Sequence, residues 1–305
     1  MEEKQLSLTA IMSAYLRAYH SLHDNPKIFD DFLAHCVIPE ERQALIEQGL
    51  VSSLQFSDPG RAAACPDRAT ALEWVIRTMT GPPNILSRSR YTEDNLIEAI
   101  SQGVKQYVIL GAGLDTFAFR YPDLVNHLRV FEVDHPATQT FKRNRLTELK
   151  WALPPNLFYV PFDFTQGDLA AALIKSSYDM QVKSFFSWLG VTMYLSRDEV
   201  FATLRAIADI APAGSTVVFD YLDTDAFDPG KAAPRVRGML EMARYAGEPM
   251  QTGFEPSSLA AEMARLGLRI HDNLSPSDIE KKYFRDRTDG YYACEHVHFA
   301  LAVID

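Results

Sequence analysis

The sequence predicts an α/β fold, a mostly parallel sheet of about seven strands flanked by helices, and three observations carry that expectation. First, from Val104 onward short runs rich in Val, Ile, Phe and Tyr alternate with amphipathic stretches, the pattern of strands joined by crossover helices. Second, the run Tyr107-Val108-Ile109-Leu110 stops at Gly111-Ala112-Gly113, as a buried strand does when it turns tightly beneath a ligand. Third, Glu132 and Asp134 close another apolar run about 20 residues further on, where an acid of a nucleotide-binding sheet accepts hydrogen bonds from ribose hydroxyls.

Taken in order, the first hundred residues read as helical, with patterns over Leu8 to His20, Asp30 to Ala34 and Ala69 to Met79. Pro26, Pro39, Pro59 and Pro66 break them, and Gly81-Pro82-Pro83 reads as a stop. Residues 1–100 are therefore expected as a helical cap on a core over 101–305, the whole of 1–305 forming one domain. Strands are expected near 106–110, 128–133, 157–161, 184–189, 214–221, 267–274 and 295–304. Helices fall near 136–149, 166–174, 197–210 and 256–266, with Ser196 and Pro256-Ser257 as starts. The interval 223–253, rich in Asp, Pro and Gly around a helix-like Arg235 to Tyr245, interrupts the alternation and reads as an inserted lid.

Composition narrows the function classes. With 305 residues, 47% hydrophobic, the chain can bury a large core. A formal charge of -10 and only short basic spots, Ser87 to Arg90 and Lys142 to Arg145, argue against a nucleic-acid surface. Cys36, Cys65 and Cys294 lie far apart and leave one unpaired in any disulfide scheme, which fits a reducing compartment, the cytoplasm by default. Met1 to Gln5 lacks the features of a signal peptide, and no apolar run approaches the ~18 residues of a membrane span, so no membrane partner is expected. Glu295, His296 and His298 lack a further ligand at suitable spacing, so no metal is expected. Neither a Gly-x-Ser-x-Gly elbow nor a phosphate loop is present, which disfavours a serine hydrolase or an NTPase.

The glycine turn is not a dinucleotide fingerprint, because Thr116 stands where a third glycine would pack the helix against the strand. What remains suits a ligand with ribose and adenine but no pyrophosphate. The segments Leu110-Gly111-Ala112-Gly113-Leu114-Asp115-Thr116, Val130-Phe131-Glu132-Val133-Asp134-His135-Pro136, Val160-Pro161-Phe162-Asp163-Phe164 and Gly190-Val191-Thr192-Met193-Tyr194-Leu195 stand in this order. In them the chain resembles the leucine carboxyl methyltransferase-like family of class I S-adenosylmethionine-dependent methyltransferases, and its bacterial small-molecule branch in particular. The resemblance implies a Rossmann-like class I methyltransferase sheet and S-adenosyl-L-methionine as cofactor. It implies that Gly111 and Gly113 let the backbone approach the methionine part, that Ala112 and Asp115 also contact the cofactor, and that Asp134, with Glu132 as second choice, binds the ribose. Asp163 and Phe164 would frame adenine, and Arg90 would grip the cofactor's carboxylate by a bidentate fork. Relatives carry a glutamate where this chain has Leu189, so the amino group would fall to Ser187 or a backbone carbonyl.

The implied reaction is O-methylation of a small organic acceptor, a carboxylate or a phenol. Methyl transfer is an in-line displacement in which positioning can supply on the order of 7–11 kcal/mol, and an ionised carboxylate needs no base whereas a phenol does. Tyr194, Tyr221 and His296 are the candidates to orient or deprotonate the acceptor, Tyr194 foremost. Met239, Met242 and Tyr245 of the lid read equally as packing or as acceptor contacts. Protein carboxyl methylation, an NAD-dependent oxidoreductase and a non-catalytic cofactor-binding protein are the alternatives.

Overall fold

In the computed structural model, which describes residues 7–305, six helices precede the first strand. They are α1 (Leu8–His23), α2 (Ala34–Val37), α3 (Glu40–Ser57), α4 (Pro59–Ala64), α5 (Arg68–Thr78) and α6 (Gly81–Ser101). The stretch Met1 to Gln5, read above for a targeting signal, lies outside the described residues. Two sequence expectations are corrected in this region. The short helix lies at 34–37 rather than over Asp30 to Ala34, and Gly81-Pro82-Pro83 opens α6 instead of stopping a helix. Proline lacks the N–H that a first helical turn leaves unbonded in any case, and its fixed φ suits those positions. Residues 87–90 are therefore helical, which decides which arginine reaches the functional site.

Strands and helices then alternate. In chain order they are β1 (Gln106–Leu110), α7 (Phe117–Arg120), α8 (Pro122–Val125), β2 (Arg129–Asp134), α9 (Pro136–Glu148), β3 (Leu157–Pro161), α10 (Leu169–Ile174) and β4 (Ser184–Trp188). They continue with α11 (Arg197–Ile210), β5 (Thr216–Asp223), α12 (Pro234–Tyr245), β6 (Gly253–Phe254), α13 (Pro256–Ala264), β7 (Leu268–Leu274), α14 (Pro276–Ile279) and β8 (Val297–Ile304). The sheet runs β3-β2-β1-β4-β5-β8-β7, with the two-residue β6 beside β5. β1 to β5 pair in parallel, and β8 is antiparallel to both β5 and β7. This is the α/β architecture expected, with β6 added. The chain leaves β1 first toward β2 and β3, then returns to β4 and β5, so the order reverses between β1 and β4. A crevice at the carboxyl ends of the strands is the consequence of such a reversal.

Strand alternation divides the core. Val108, Leu110, Phe131, Val133, Phe186 and Trp188 pack with Leu173 of α10, Leu204 and Ile207 of α11, and Met263 of α13. Tyr107, Ile109, Val130 and Phe185 pack with Tyr15 and Leu16 of α1, Ile76 of α5, and Leu86 and Leu96 of α6. Both faces are covered, which is why the central strands read as unbroken apolar runs. Between β5 and β6 lie a 3₁₀ turn at Thr224–Phe227 and α12, in which only Val236 is buried. The returning chain is fastened by Gln251 N–H, which donates to the Met193 carbonyl at 2.8 Å, and by Thr252 Oγ1, which donates to the Leu195 carbonyl at 2.5 Å. No described helix is long and apolar enough to cross a membrane.

Phe131 shows what the sheet interior contributes. It is fully buried and stacks on Phe158 with ring centroids 5.1 Å apart. Phe131→Ala is expected to lower the unfolding free energy by about 3–5 kcal/mol, read from urea denaturation as a lower midpoint with an unchanged slope.

Candidate active site

A cavity of about 440 Å³ opens at the carboxyl ends of β1, β2 and β4, within the size range of small-molecule sites. Its floor is the turn after β1, with Gly111, Ala112, Gly113 and Asp115 in the wall. Gly111 has φ +72°, and a Cβ there would stand 2.4 Å from Cγ2 of Val191. A side chain is thus refused both by conformation and by space.

Asp134 ends β2 at the lip of this floor. Gly113 N–H donates to its Oδ2 at 2.5 Å and His135 N–H to its Oδ1 at 2.6 Å. Burial raises its carboxyl above the usual range, while these two N–H groups and the Lys142 ammonium pull the other way. Beyond it, Phe162, Asp163 and Phe164 line the cavity, Phe164 stacking on Trp188 with centroids 5.9 Å apart. Burial alone would raise Asp163, but Thr165 outweighs it by donating from its hydroxyl at 2.7 Å and its N–H at 2.9 Å, and the carboxyl stays below the usual range. Thr138 on α9 also lines the cavity, and its buried hydroxyl has no partner among the described residues. A buried polar group left open in a cavity wall is a natural ligand contact.

At the opposite end stand Ser187, Leu189, Gly190 and Tyr194 from β4 and the turns after it, facing Arg88 and Ser89 of α6. The Ser187 hydroxyl and Tyr107 OH share a hydrogen bond of 2.9 Å. Arg88 Nη1 donates to Asp220 Oδ2 at 2.8 Å, and Gly190 N–H donates to the other oxygen at 2.6 Å. At Gly190 a Cβ would fall 2.4 Å from Nη2 of Arg88, so the guanidinium lies flat against bare backbone. Over the mouth, Thr9 of α1 donates to Glu248 of the lid, and Gly247, Pro249 and Gln251 complete the wall.

Gly111, Ala112, Gly113, Asp115, Asp134, Asp163, Phe164, Ser187 and Tyr194 thus meet in one cavity. Other sequence candidates lie elsewhere. Arg90 is half exposed on the outer side of α6 and forms a two-pronged pair with Asp94 at 2.8 and 3.0 Å. Residues two apart on a helix point roughly 200° apart, so once 87–90 is helical only Arg88 turns inward. Glu132 shares the face of Asp134 but sits one pleat deeper, beneath α9, where Lys142 pairs with it at 2.5 Å. Tyr221 is buried and donates to Asn273 at 2.9 Å, outside the cavity wall. His296 bonds Asp223 at 2.8 Å through Nδ1 and accepts from Ala233 N–H through Nε2, which ties the base of the lid to β8. His298 turns to the same Asp223, and among the described residues no group of three or more His, Cys, Asp or Glu is set to hold a metal. Met239, Met242 and Tyr245 are also absent from the cavity wall, and Met242 and Tyr245 are exposed.

A buried charge network supports the floor from below. Arg17 pairs with Asp31 at 2.9 Å and donates to the Leu114 carbonyl at 2.9 Å, while Thr116 donates to Asp31 at 2.5 Å. Arg120 donates to Thr116 and forks onto Glu93, which also accepts from Tyr121. Single residues far apart in sequence gave no motif for this network. Asp220 was equally silent, lying inside an apolar β5 run.

Comparison with known proteins agrees with the architecture. The family model described as leucine carboxyl methyltransferase matches residues 10–208. YktD of Bacillus subtilis, whose name provisionally assigns it to the S-adenosyl-L-methionine-dependent methyltransferases, is 40% identical over 304 residues, covering 99% of each chain. The fold is shared with a DUF574 family protein from Streptomyces avermitilis at TM-score 0.57 and 14% identity, over 96% of this chain and 97% of that one. It is shared also with a structure from Thermobifida fusca that is provisionally called a methyltransferase, at TM-score 0.56 and 16% identity, over 99% and 96%.

The Arg88–Asp220 pair generates a stability prediction. Asp220→Ala strands a nearly buried guanidinium and is expected to cost about 3–5 kcal/mol, measured by urea denaturation. A loss below 1 kcal/mol would mean that solvent already carries the arginine's charge.

Proposed function

The chain belongs to the leucine carboxyl methyltransferase family, and from that premise we propose that it transfers a methyl group to an oxygen of a small organic acceptor held in the cavity. It is an S-adenosyl-L-methionine-dependent methyltransferase, and when bound that cofactor supplies the electrophilic methyl. The residues present fit such a group. The floor is bare at Gly111 because any Cβ would strike Val191, Asp134 stands at the lip, and the Thr138 hydroxyl lacks a partner among the described residues. In this reading Asp134 accepts from the ribose, Asp163 and Phe164 frame adenine, and Arg88 takes the carboxylate that the family resemblance gave to Arg90. Supporting the last point, Arg88 lines the cavity and Arg90 does not.

The observation that supports the small acceptor is a contact across the mouth of the cavity. Helix α1 and the lid meet over the cavity through Thr9 and Glu248, and Tyr194 and Gln251 stand beneath them. Burial pushes the Tyr194 phenol up to about 12, so it keeps its proton at neutral pH. Tyr194 accordingly serves as a hydrogen-bond donor that orients the acceptor oxygen, not as a base. A carboxylate acceptor arrives ionised and needs nothing more than this alignment.

Calorimetric titration with S-adenosylhomocysteine tests the cofactor half. Arg88→Ala and Asp134→Ala are each expected to weaken binding by at least about tenfold, equivalent to about 1.4 kcal/mol, while Arg90→Ala leaves it unchanged; the reverse order for the two arginines overturns the assignment. The acceptor half is read with methyl-labelled cofactor, small carboxylic acids and phenols, and peptides ending in a free carboxylate. Labelling of peptides alone would overturn the small-molecule reading.

A further inference from the structure

Glu132 is the part of the β2 motif that the cavity does not use. It lies between the sheet and α9 with Lys142, each 1% exposed, Nζ and Oε2 2.5 Å apart. Its other oxygen, Oε1, is buried without a hydrogen bond among the described residues. Gln139, on the same helix, donates to the Glu132 carbonyl at 2.9 Å and to the Val160 carbonyl at 3.0 Å, which fixes α9 over the ends of β2 and β3. A lysine is seldom fully buried, and its ammonium in such a place needs a reason. The reason lies one pleat along the strand. Residues two apart point to the same face about 6.6–6.8 Å apart, so Asp134 stands on the same side of the same strand as Glu132.

The charges around Asp134 make the requirement plain. Glu132 comes from its own strand, Asp115 from the turn after β1, and Asp163 from the turn after β3, all acidic. His135 and Lys142 come from the start and second turn of α9, Tyr159 from β3, and Arg143 stands over the Tyr159 ring. Among the cationic side chains just named, Lys142 is the one buried with the acids. Burial pushes the carboxyls of both Glu132 and Asp134 up, and Lys142 draws both back down.

We propose that Lys142 is a positioning residue for the cofactor: its ammonium, held in place by Glu132 beneath the β2 terminus, supplies the positive charge that keeps Asp134 a carboxylate beside the ribose. This rests on the reading of Asp134 as the ribose acceptor. A protonated Asp134 would lose one of the acceptor sites that receive Gly113 N–H and His135 N–H and that the ribose would need. Cofactor affinity then falls on the acid side as Asp134 takes up its proton, and Lys142 sets where that fall begins.

The test is the pH dependence of S-adenosylhomocysteine affinity in the full chain, by calorimetry, for Lys142→Met, Glu132→Gln and the double variant, each confirmed folded by thermal unfolding across the pH range. Lys142→Met is expected to move the acid midpoint up by about one pH unit. Glu132→Gln, which keeps the ammonium and removes a competing acid, moves it down or leaves it in place. The double variant follows Lys142→Met, because without the ammonium a buried Glu132 is already neutral, and it replaces a buried pair by matched uncharged groups, a change that folds are known to tolerate. Should Lys142→Met not fold, the double variant against Glu132→Gln carries the same comparison. Affinity lowered equally at all pH values, with the midpoint unmoved, would mean that the pair only packs and would overturn the proposal. Asp134→Asn separates the two levels. If it leaves affinity and acid limb intact, the ribose reading itself fails; if it weakens binding and flattens the acid limb while the Lys142 variants do not shift it, the positioning role alone fails.

Discussion

The hydrogen bond from Gly113 N–H to the Asp134 carboxylate joins the turn after β1 to the end of β2, and the rest of the site is arranged around it. A buried carboxylate must be satisfied, and here two backbone N–H groups do this, one from the turn after β1 and one from the residue that opens α9. That demand aligns the glycine turn. The turn in turn excludes side chains, because Val191 fills the space that a Cβ at Gly111 would need. Below, Arg17 holds the Leu114 carbonyl and Thr116 holds Asp31, so the same turn is anchored to the helical cap as well as to the sheet. The floor is rigid because four separate chain segments compete to fix one short loop.

Countercharge is the second organising feature. Each arginine in the cavity wall has a buried acid behind it, Asp220 for Arg88 and Asp31 for Arg17. A guanidinium held on one edge keeps donors free on another, which lets Arg88 be both desolvated and available. Asp134 has the inverse arrangement, an acid facing the cavity with Lys142 and Glu132 behind. Charges that face the ligand are thus oriented by charges that do not, and a bound molecule meets groups that have already surrendered their conformational freedom.

Much of this was legible in the sequence because it is carried by local pattern. The glycine turn, the acid ending β2 and the Asp163-Phe164 pair sit at strand ends, and strand ends are announced by apolar runs that stop. The sheet strands followed from the same signal, β6 excepted, since two residues offer no periodicity. Where helical phase mattered, the reading failed. Gly81-Pro82-Pro83 read as a stop, whereas it opens α6 and makes residues 87–90 helical, so that Arg88 and not Arg90 turns toward the cavity. Glu132 was misplaced for a different reason. Alternation gives the face of a strand and not the depth at which a helix covers it. Asp31, Glu93, Arg120 and Asp220 left no trace at all, because an ion pair between distant segments depends on tertiary packing that no local window contains.

The central claim is that the cavity at the reversal of the sheet holds a sulfonium nucleoside by its sugar and its carboxylate. A crystal structure of the full chain with S-adenosylhomocysteine tests it most directly. Both ribose hydroxyls are expected within hydrogen-bond distance of Asp134, adenine between Asp163 and Phe164, and the ligand carboxylate on Arg88. A nucleoside bound outside the Gly111 to Gly113 turn, or a carboxylate held by Arg90 on the outer face of α6, would contradict it.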